Sequence, residues 1–214
     1  MTDATTDSQS RDKKGGIILD MHGLRIEGRS DEIWHEIVHG VNVTLRRGEV
    51  LGLIGESGAG KSTFGLAAMG YTKPGCRIVS GSISLDGEEL VGARTSRLRQ
   101  IRGDTVAYVA QSAAASFNPA HRLIHQFSEA PVQHGKMRQE EAERRGVDLY
   151  GQLDMPEPDK IGRRFPHQVS GGQLQRAMTA MAMGCDPRLI IFDEPTTALD
   201  VTTQIEVLPT IKEA

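Results

Sequence analysis

The sequence predicts an α/β fold, and three observations support this prediction. Short aliphatic and β-branched runs alternate with turn signals over the first hundred residues. One apolar run, Val50–Ile54, is followed by a glycine-rich loop and then by a segment of helical composition. A second apolar run, Leu189–Asp193, ends in acidic residues. Apolar runs without polar alternation are typical of strands that a mostly parallel sheet buries on both faces.

The composition is that of a globular protein. The 214 residues suffice for one domain or a tight pair of lobes. Hydrophobic residues make up 38%, charged residues 25%, and the net charge is −3, so neither disorder nor nucleic-acid binding through net charge is indicated. Cys76 and Cys185 have no second cysteine or histidine at ligand spacing, so no zinc site is predicted. No apolar run reaches the roughly 18 residues that span a bilayer.

The predicted elements form an N-terminal antiparallel β lobe, a core sheet and a helical lobe at about 112–182. Residues 1–16 are polar and predict a disordered leader, so the folded domain is predicted at 17–214. Strands are predicted at Ile17–Met21, Val41–Leu45, Val50–Ile54, Ser82–Leu85, Thr105–Val109 and Leu189–Asp193. Helices are predicted at Thr63–Met69, within the charged stretch Lys136–Arg145, from Ser170 to about Met183 with Gly184 as a left-handed cap, and at Val201–Ile211.

A phosphate-binding pattern lies between the predicted strand Val50–Ile54 and the helix after it. Residues 55–62 match G-x-x-x-x-G-K-S/T, in which glycines let backbone N–H groups surround phosphates. Lys61 would reach the β and γ phosphates, and the Ser62 hydroxyl can bind magnesium. By itself the motif leaves an accidental glycine turn as the alternative. The predicted ATP-binding residues are Gly55, Glu56, Ser57, Gly58, Ala59, Gly60, Lys61, Ser62 and Thr63.

Two carboxylates follow the second apolar strand, at the sheet edge where ligands bind in open α/β sheets. Asp193 would hold magnesium, directly or through water. Glu194 would act as the general base, or as the orienter, for the water that attacks the γ phosphate. Without the phosphate loop, a solvated strand end would be the simpler interpretation.

The segment Ser170-Gly171-Gly172-Gln173 begins a predicted helix. A serine cap followed by two residues without side chains predicts a second anion site at the helix start. Ordinary N-cap chemistry explains the same residues equally well.

These motifs resemble, in order and spacing, the nucleotide-binding domain of ABC transporters, together with Gln111 and Ala198-Leu199-Asp200. The resemblance covers about Leu19 to Ile211 and implies a phosphate-loop NTPase of ABC type with ATP and Mg²⁺ as cofactors. It also implies that Gln111 senses the γ phosphate and binds magnesium. The segment Ser170–Gln173 would contact the ATP of a partner domain, and Asp200 would lie at the dimer seam.

Further segments look like the peptide/nickel uptake branch of that family: Ser116-Phe117-Asn118-Pro119, Pro166-His167-Gln168 and residues 195–204. This implies ATP hydrolysis that powers uptake of peptides, nickel or related small solutes. The implied partners are a second ATPase subunit, identical or different, and transmembrane permease subunits, with no nucleic acid. The implied location is the cytoplasm, peripheral on the inner face of the cell membrane.

Two departures from the family pattern matter. The stretch Leu24–Gly28 lacks the aromatic residue that the family places against adenine, and Trp34 is the nearby candidate. The last histidine is His167, so the family's switch histidine after Asp200 is missing, and we expect a domain that is incomplete at its C-terminus. A non-hydrolysing nucleotide-binding module is therefore the alternative function. An ABC ATPase of DNA repair or translation is disfavoured, because no coiled coil, zinc cysteines or second domain is present.

Overall fold

The computed structural model describes residues 15–194, which divide into two compact units. The first unit runs to Arg99 and the second starts at Gln100. Most of the predicted leader, Asp200 and the predicted helix Val201–Ile211 lie outside the described residues. Within residues 15–194, no helix is long and apolar enough to cross a membrane.

The first unit contains a four-stranded antiparallel sheet in the order β2-β1-β3-β4. Its strands are β1 (Ile17–Ser30), β2 (Ile33–Arg46), β3 (Cys76–Leu85) and β4 (Glu88–Glu89). Helix α1 is Lys61–Ala67, and helix α2, Thr95–Ile101, ends in the second unit. The predicted β lobe is confirmed, although its strands are longer than predicted.

Strand pairing explains the extra length of β1 and β2. Charged residues in the outer half of β1, and the histidines and Glu36 in the outer half of β2, interrupt the alternation of apolar residues that predicts a strand. The register nevertheless continues to the hairpin turn, with Ser30 opposite Ile33. Polar pairs hold the exposed face: Arg25 Nη1 donates to Glu36 Oε1 at 2.8 Å. Cross-strand pairs of this kind stabilise a sheet without an apolar pattern.

The prediction of a central strand at Val50–Ile54 is wrong. This segment forms no strand, and Val50 and Ile54 are 81% and 100% exposed. A strand needs a neighbour to accept and donate its backbone hydrogen bonds. No strand within residues 15–194 pairs with this segment, so its apolar composition alone does not make a strand.

The second unit places two parallel strands beside a group of helices. Strand β5 (Val106–Val109) pairs in parallel with β6 (Leu189–Phe192), close to the predicted positions. The helices are α3 (Ala113–Ser116), α4 (Leu123–Gln133), α5 (Gln139–Gln152), α6 (Pro158–Ile161) and α7 (Gly171–Met183), with a 3₁₀ turn at Pro166–Gln168. One apolar core joins the strands to α3, α4, α5 and α7.

Both ends of α7 lie where they are predicted, but the conformation of the residue at its C-terminal cap differs from the prediction. Ser170 caps the helix as expected. Gly184 has a right-handed φ of −57°, not the left-handed conformation predicted for it. The lack of room for a side chain explains the glycine instead. A Cβ atom at position 184 would lie 3.2 Å from Cζ of Phe127 and from the Met181 carbonyl oxygen.

Close packing of α5 on α4 depends on Gly146. A Cβ atom at this position would lie 2.6 Å from Cδ1 of Ile124 and 2.8 Å from Cδ1 of Phe127. The Phe127 ring is fully buried and meets the Tyr150 ring edge-on, with centroids 6.0 Å apart. The ring therefore has little room to shift.

We expect Gly146→Ala to destabilise the protein by about 1 to 3 kcal/mol, because overpacking exceeds the usual helix preference for alanine. Gly151, in the same helix, is the matched control, since a Cβ atom there would meet only Pro158 Cγ at 3.8 Å. Gly151→Ala should stabilise by roughly 0.5 to 1 kcal/mol. Urea denaturation of both variants checks the opposite signs, and a stabilised Gly146→Ala variant would contradict this packing.

Candidate functional site

The phosphate-binding pattern forms a loop in the first unit that leads directly into α1. The Lys61 ammonium group donates to the carbonyl oxygens of Gly55 at 2.9 Å and Glu56 at 2.8 Å. The Ala59 N–H donates to the Glu56 oxygen at 3.2 Å, which closes a tight turn inside the loop. The Lys61 side chain therefore bridges two carbonyl groups at the start of the loop.

Gly60 is the position where the loop needs a glycine most clearly. Its φ is +83°, in the left-handed region that side chains disfavour. A Cβ atom there would also lie 2.9 Å from Ile37 Cγ2 and 3.0 Å from the Ile37 carbonyl oxygen. Strand β2 therefore supports the loop from below through Ile37, a contact that the sequence pattern did not predict.

The second unit brings together three of the predicted site residues at the ends of β5 and β6. The Asp193 N–H donates to the Val109 carbonyl oxygen at 2.9 Å, which continues the parallel pairing by one residue. The side-chain amide of Gln111 donates to Glu194 Oε2 at 2.8 Å. Two carboxylates and one amide thus lie together at the carboxyl ends of β5 and β6, where the sequence predicts the two carboxylates.

Tyr108 is a member of this cluster that the sequence analysis did not predict. Its hydroxyl donates to Asp193 Oδ2 at 2.6 Å. Burial, and then the hydrogen bond and negative charge of Asp193, raise the pKa of the Tyr108 hydroxyl, so it stays protonated as a donor. The available signal was a tyrosine within an apolar strand, since a buried phenol needs a polar partner.

The residues present fit a magnesium ion chemically. Asp193 supplies a carboxylate and Gln111 an amide within the second unit. In the first unit, Ser62 carries a hydroxyl, which is also an oxygen donor. Magnesium prefers such oxygen donors and commonly takes only one or two carboxylates plus phosphate oxygens. The described part of the chain holds no cluster of three or more His, Cys, Asp or Glu residues that would bind a metal ion by itself.

The segment Ser170–Gln173 forms a complete capping box. Ser170 Oγ accepts from the Gln173 N–H at 3.3 Å, and Gln173 Oε1 accepts from the Ser170 N–H at 3.0 Å. Gly171 is exposed, and a Cβ atom there would meet nothing within 4 Å. Capping explains Ser170 and Gln173, whereas no local contact of Gly171 requires a glycine.

Trp34 contacts a cation in the first unit. Cζ of Arg77 lies 4.0 Å from the centroid of the Trp34 ring, a cation–π geometry. Arg77 is itself held by Glu27, which accepts from its Nε at 3.0 Å and its Nη2 at 2.8 Å. Adenine stacking by Trp34 stays a prediction, and Asp200 lies outside the described residues.

Comparison with known proteins gives a consistent family. The sequence profile of the ABC transporter family matches residues 38–197. Oligopeptide transport ATP-binding protein OppD of Lactococcus lactis is 41% identical over 89% of this chain, and the match spans 55% of OppD. A putative peptide import ATP-binding protein of Brucella abortus is 38% identical over 93% of this chain and 60% of its own length. The chain therefore spans little more than half the length of these relatives.

Solved structures with a similar fold confirm the predicted α/β class with its β and helical lobes. The ATP-binding cassette MJ0796, in a dimeric post-hydrolysis state bound to ADP and Pi, has a TM-score of 0.81 at 24% identity and covers 92% of this chain and 82% of its own. CbiO1 from Clostridium perfringens, part of the ABC transporter complex cbiONQ, has a TM-score of 0.73 at 24% identity, with coverage of 92% and 73%. With a family match over residues 38–197 and relatives near 40% identity, this chain belongs to the ABC transporter family.

Proposed function

We propose that this chain binds and hydrolyses ATP as a subunit of a peptide uptake transporter. The observation that carries the proposal is the convergence of Asp193, Glu194 and Gln111 at one end of the parallel pair β5–β6. The phosphate loop of the first unit supplies the complementary chemistry. The relatives named as peptide transport ATP-binding proteins support the substrate class.

The loop at Gly55–Thr63 holds the nucleotide phosphates in this proposal. Backbone N–H groups of the glycine-rich stretch bind phosphate oxygens, and the Lys61 ammonium group pairs with the β and γ phosphates. Lys61 already bridges two loop carbonyls, so its side chain is ordered across the loop before nucleotide arrives. A preordered cation loses less conformational entropy on binding than a mobile one.

Asp193, Ser62 and Gln111 would hold a magnesium ion. When bound, the ion neutralises the charge that develops on the transferred phosphoryl group. The main-chain bond from Asp193 to Val109 and the phenol of Tyr108 keep the Asp193 carboxylate at a defined place before any ion binds.

Glu194 is the proposed base that takes a proton from the attacking water. Its Oε2 accepts a hydrogen bond from Gln111, so the carboxylate is oriented by the residue that the family resemblance makes the γ-phosphate sensor. Proton transfer to a carboxylate at such a site contributes typically a hundredfold or more to a rate.

The partners follow from the same proposal. Ser170, Gly171 and Gly172 would contact ATP on a second ATPase subunit, which supports a head-to-tail pair, and permease subunits would place the pair at the inner face of the cell membrane. MJ0796, a structural neighbour, is described as dimeric. A nucleotide-binding module without hydrolysis is the second candidate, and phosphate release distinguishes the two.

We expect Lys61→Ala to weaken magnesium-dependent ATP binding tenfold to over a hundredfold, because a charge-assisted contact contributes roughly 1.5 to 3 kcal/mol. Isothermal titration calorimetry measures the change. Lys73→Ala is the control, since Lys73 is an exposed lysine of the same unit outside the loop. Equal affinity in the wild type and Lys61→Ala would remove the phosphate loop from the proposal.

We expect Glu194→Gln to stop phosphate release while ATP binding persists. The amide keeps the shape of the side chain but cannot take a proton. Phosphate release and ATP affinity are measured on the same preparations. Turnover in Glu194→Gln above about a tenth of the wild-type rate would move the base elsewhere. ATP binding without phosphate release in the wild type would favour the non-hydrolysing module.

Two substitutions at Ser170 separate its structural role from its proposed contact with a partner's ATP. Ser170→Ala should lower stability by about 1 kcal/mol, whereas Ser170→Gly should lower it by only a few tenths. Both remove the hydroxyl, so both should weaken ATP-dependent pairing equally, as measured by light scattering. If Ser170→Ala loses pairing in proportion to its lower stability while Ser170→Gly retains it, Ser170 acts only as a helix cap.

A further inference from the structure

Tyr108 connects β5 to the carboxylate proposed to bind magnesium. Its hydroxyl lies 2.6 Å from Asp193 Oδ2, across 85 positions of sequence. We infer that Tyr108 is a positioning residue, which sets the orientation of the Asp193 carboxylate for a divalent cation. This inference rests on the proposed function and extends it to a residue outside the nucleotide-binding motifs.

The register of the two strands explains why the phenol reaches Asp193. Tyr108 is opposite Ile191 in the parallel pair. Asp193 is two residues beyond Ile191, so both side chains lie on the same face of the strand. A tyrosine is long enough to extend along this face, and its hydroxyl reaches the Asp193 carboxylate. A phenylalanine would retain the packing without the hydrogen bond.

The carboxylate is held from two directions. The Asp193 N–H donates to the Val109 carbonyl oxygen, which fixes the main chain, and the Tyr108 hydroxyl fixes the side chain. Hydrogen bonds to a ligating carboxylate set its orientation, and their loss typically weakens metal binding 10- to 100-fold. The Tyr108 contact is half-buried, so water replaces it poorly.

A purely structural role is the competing explanation, since any buried hydrogen bond stabilises the fold to some extent. Such a role predicts lower stability with no specific effect on the cation. A positioning role predicts that cation affinity falls while binding of metal-free nucleotide is retained. The ratio of these two affinities is therefore the informative measurement.

The experiment measures ATP binding by the full chain at graded free Mg²⁺ concentrations and in EDTA. For Tyr108→Phe we expect the Mg²⁺ concentration at half-maximal effect to rise about tenfold or more, with the affinity in EDTA unchanged. Tyr150→Phe is the matched control, because Tyr150 is fully buried and its hydroxyl has no hydrogen-bond partner in the described structure. Its Mg²⁺ dependence should equal that of the wild type.

A second variant tests the coupling directly. In an Asp193→Asn background the carboxylate is absent, so adding Tyr108→Phe should change the Mg²⁺ dependence by less than about twofold. A full tenfold effect in that background would overturn the inference. Thermal midpoints of all variants are measured alongside.

The outcomes separate the inference from the proposed function. Wild-type ATP binding that depends on Mg²⁺, together with an unchanged Mg²⁺ dependence in Tyr108→Phe, overturns the inference alone. An equal loss of ATP affinity in Tyr108→Phe with and without Mg²⁺ also overturns the inference, because a general structural defect would explain that result. A wild-type chain that binds no ATP under either condition overturns the proposed function and the inference with it.

Discussion

The parallel pairing of β5 with β6 is the contact on which the candidate site depends. It joins segments separated by more than 80 residues, and the Tyr108–Asp193 and Gln111–Glu194 hydrogen bonds are made between the two strands or the residues that follow them. Pairing over such a separation carries a large loop-closure cost in entropy. The helical segment between the strands offsets this cost, because its apolar core packs against both of them. The helices thus position the site without supplying its carboxylates.

The residues that carry the chemistry of the site could be predicted from the sequence better than the residues that hold them in place. Asp193 and Glu194 follow β6, as the sequence predicts. Gln111, which entered only through the family resemblance, lies beside them because the ends of neighbouring parallel strands meet. Tyr108 and Ile37 were missed, since each is recognised only once its neighbour across the sheet or under the loop is known. A sequence motif gives the spacing of residues along the chain, but it does not give the register between paired strands.

Two of the differences between the predicted and the observed fold have a common physical cause. The apolar run Val50–Ile54 was expected to be a buried strand, yet it is exposed because strand formation requires a partner as well as composition. The outer half of β2 was missed because His35, Glu36 and His39 interrupt the alternation of apolar residues, although β1 pairs with it to the turn. In both cases pairing with another strand, and not the local sequence preference, determines whether the segment forms a strand.

Glu194 adopts a backbone conformation that side chains disfavour. Non-glycine residues with positive φ are uncommon, and two others in the described chain, Asp31 and Asp86, directly follow a strand. Glu194 has a φ of 47° two residues after β6, and Gln111 donates a hydrogen bond to its carboxylate. A strained backbone conformation persists only when several surrounding contacts hold it in place, and such conformations are frequent at functional sites. The amide that orients Glu194 and the parallel pair that ends one residue before Asp193 supply those contacts, so the conformation and the proposed proton-accepting role have the same structural origin.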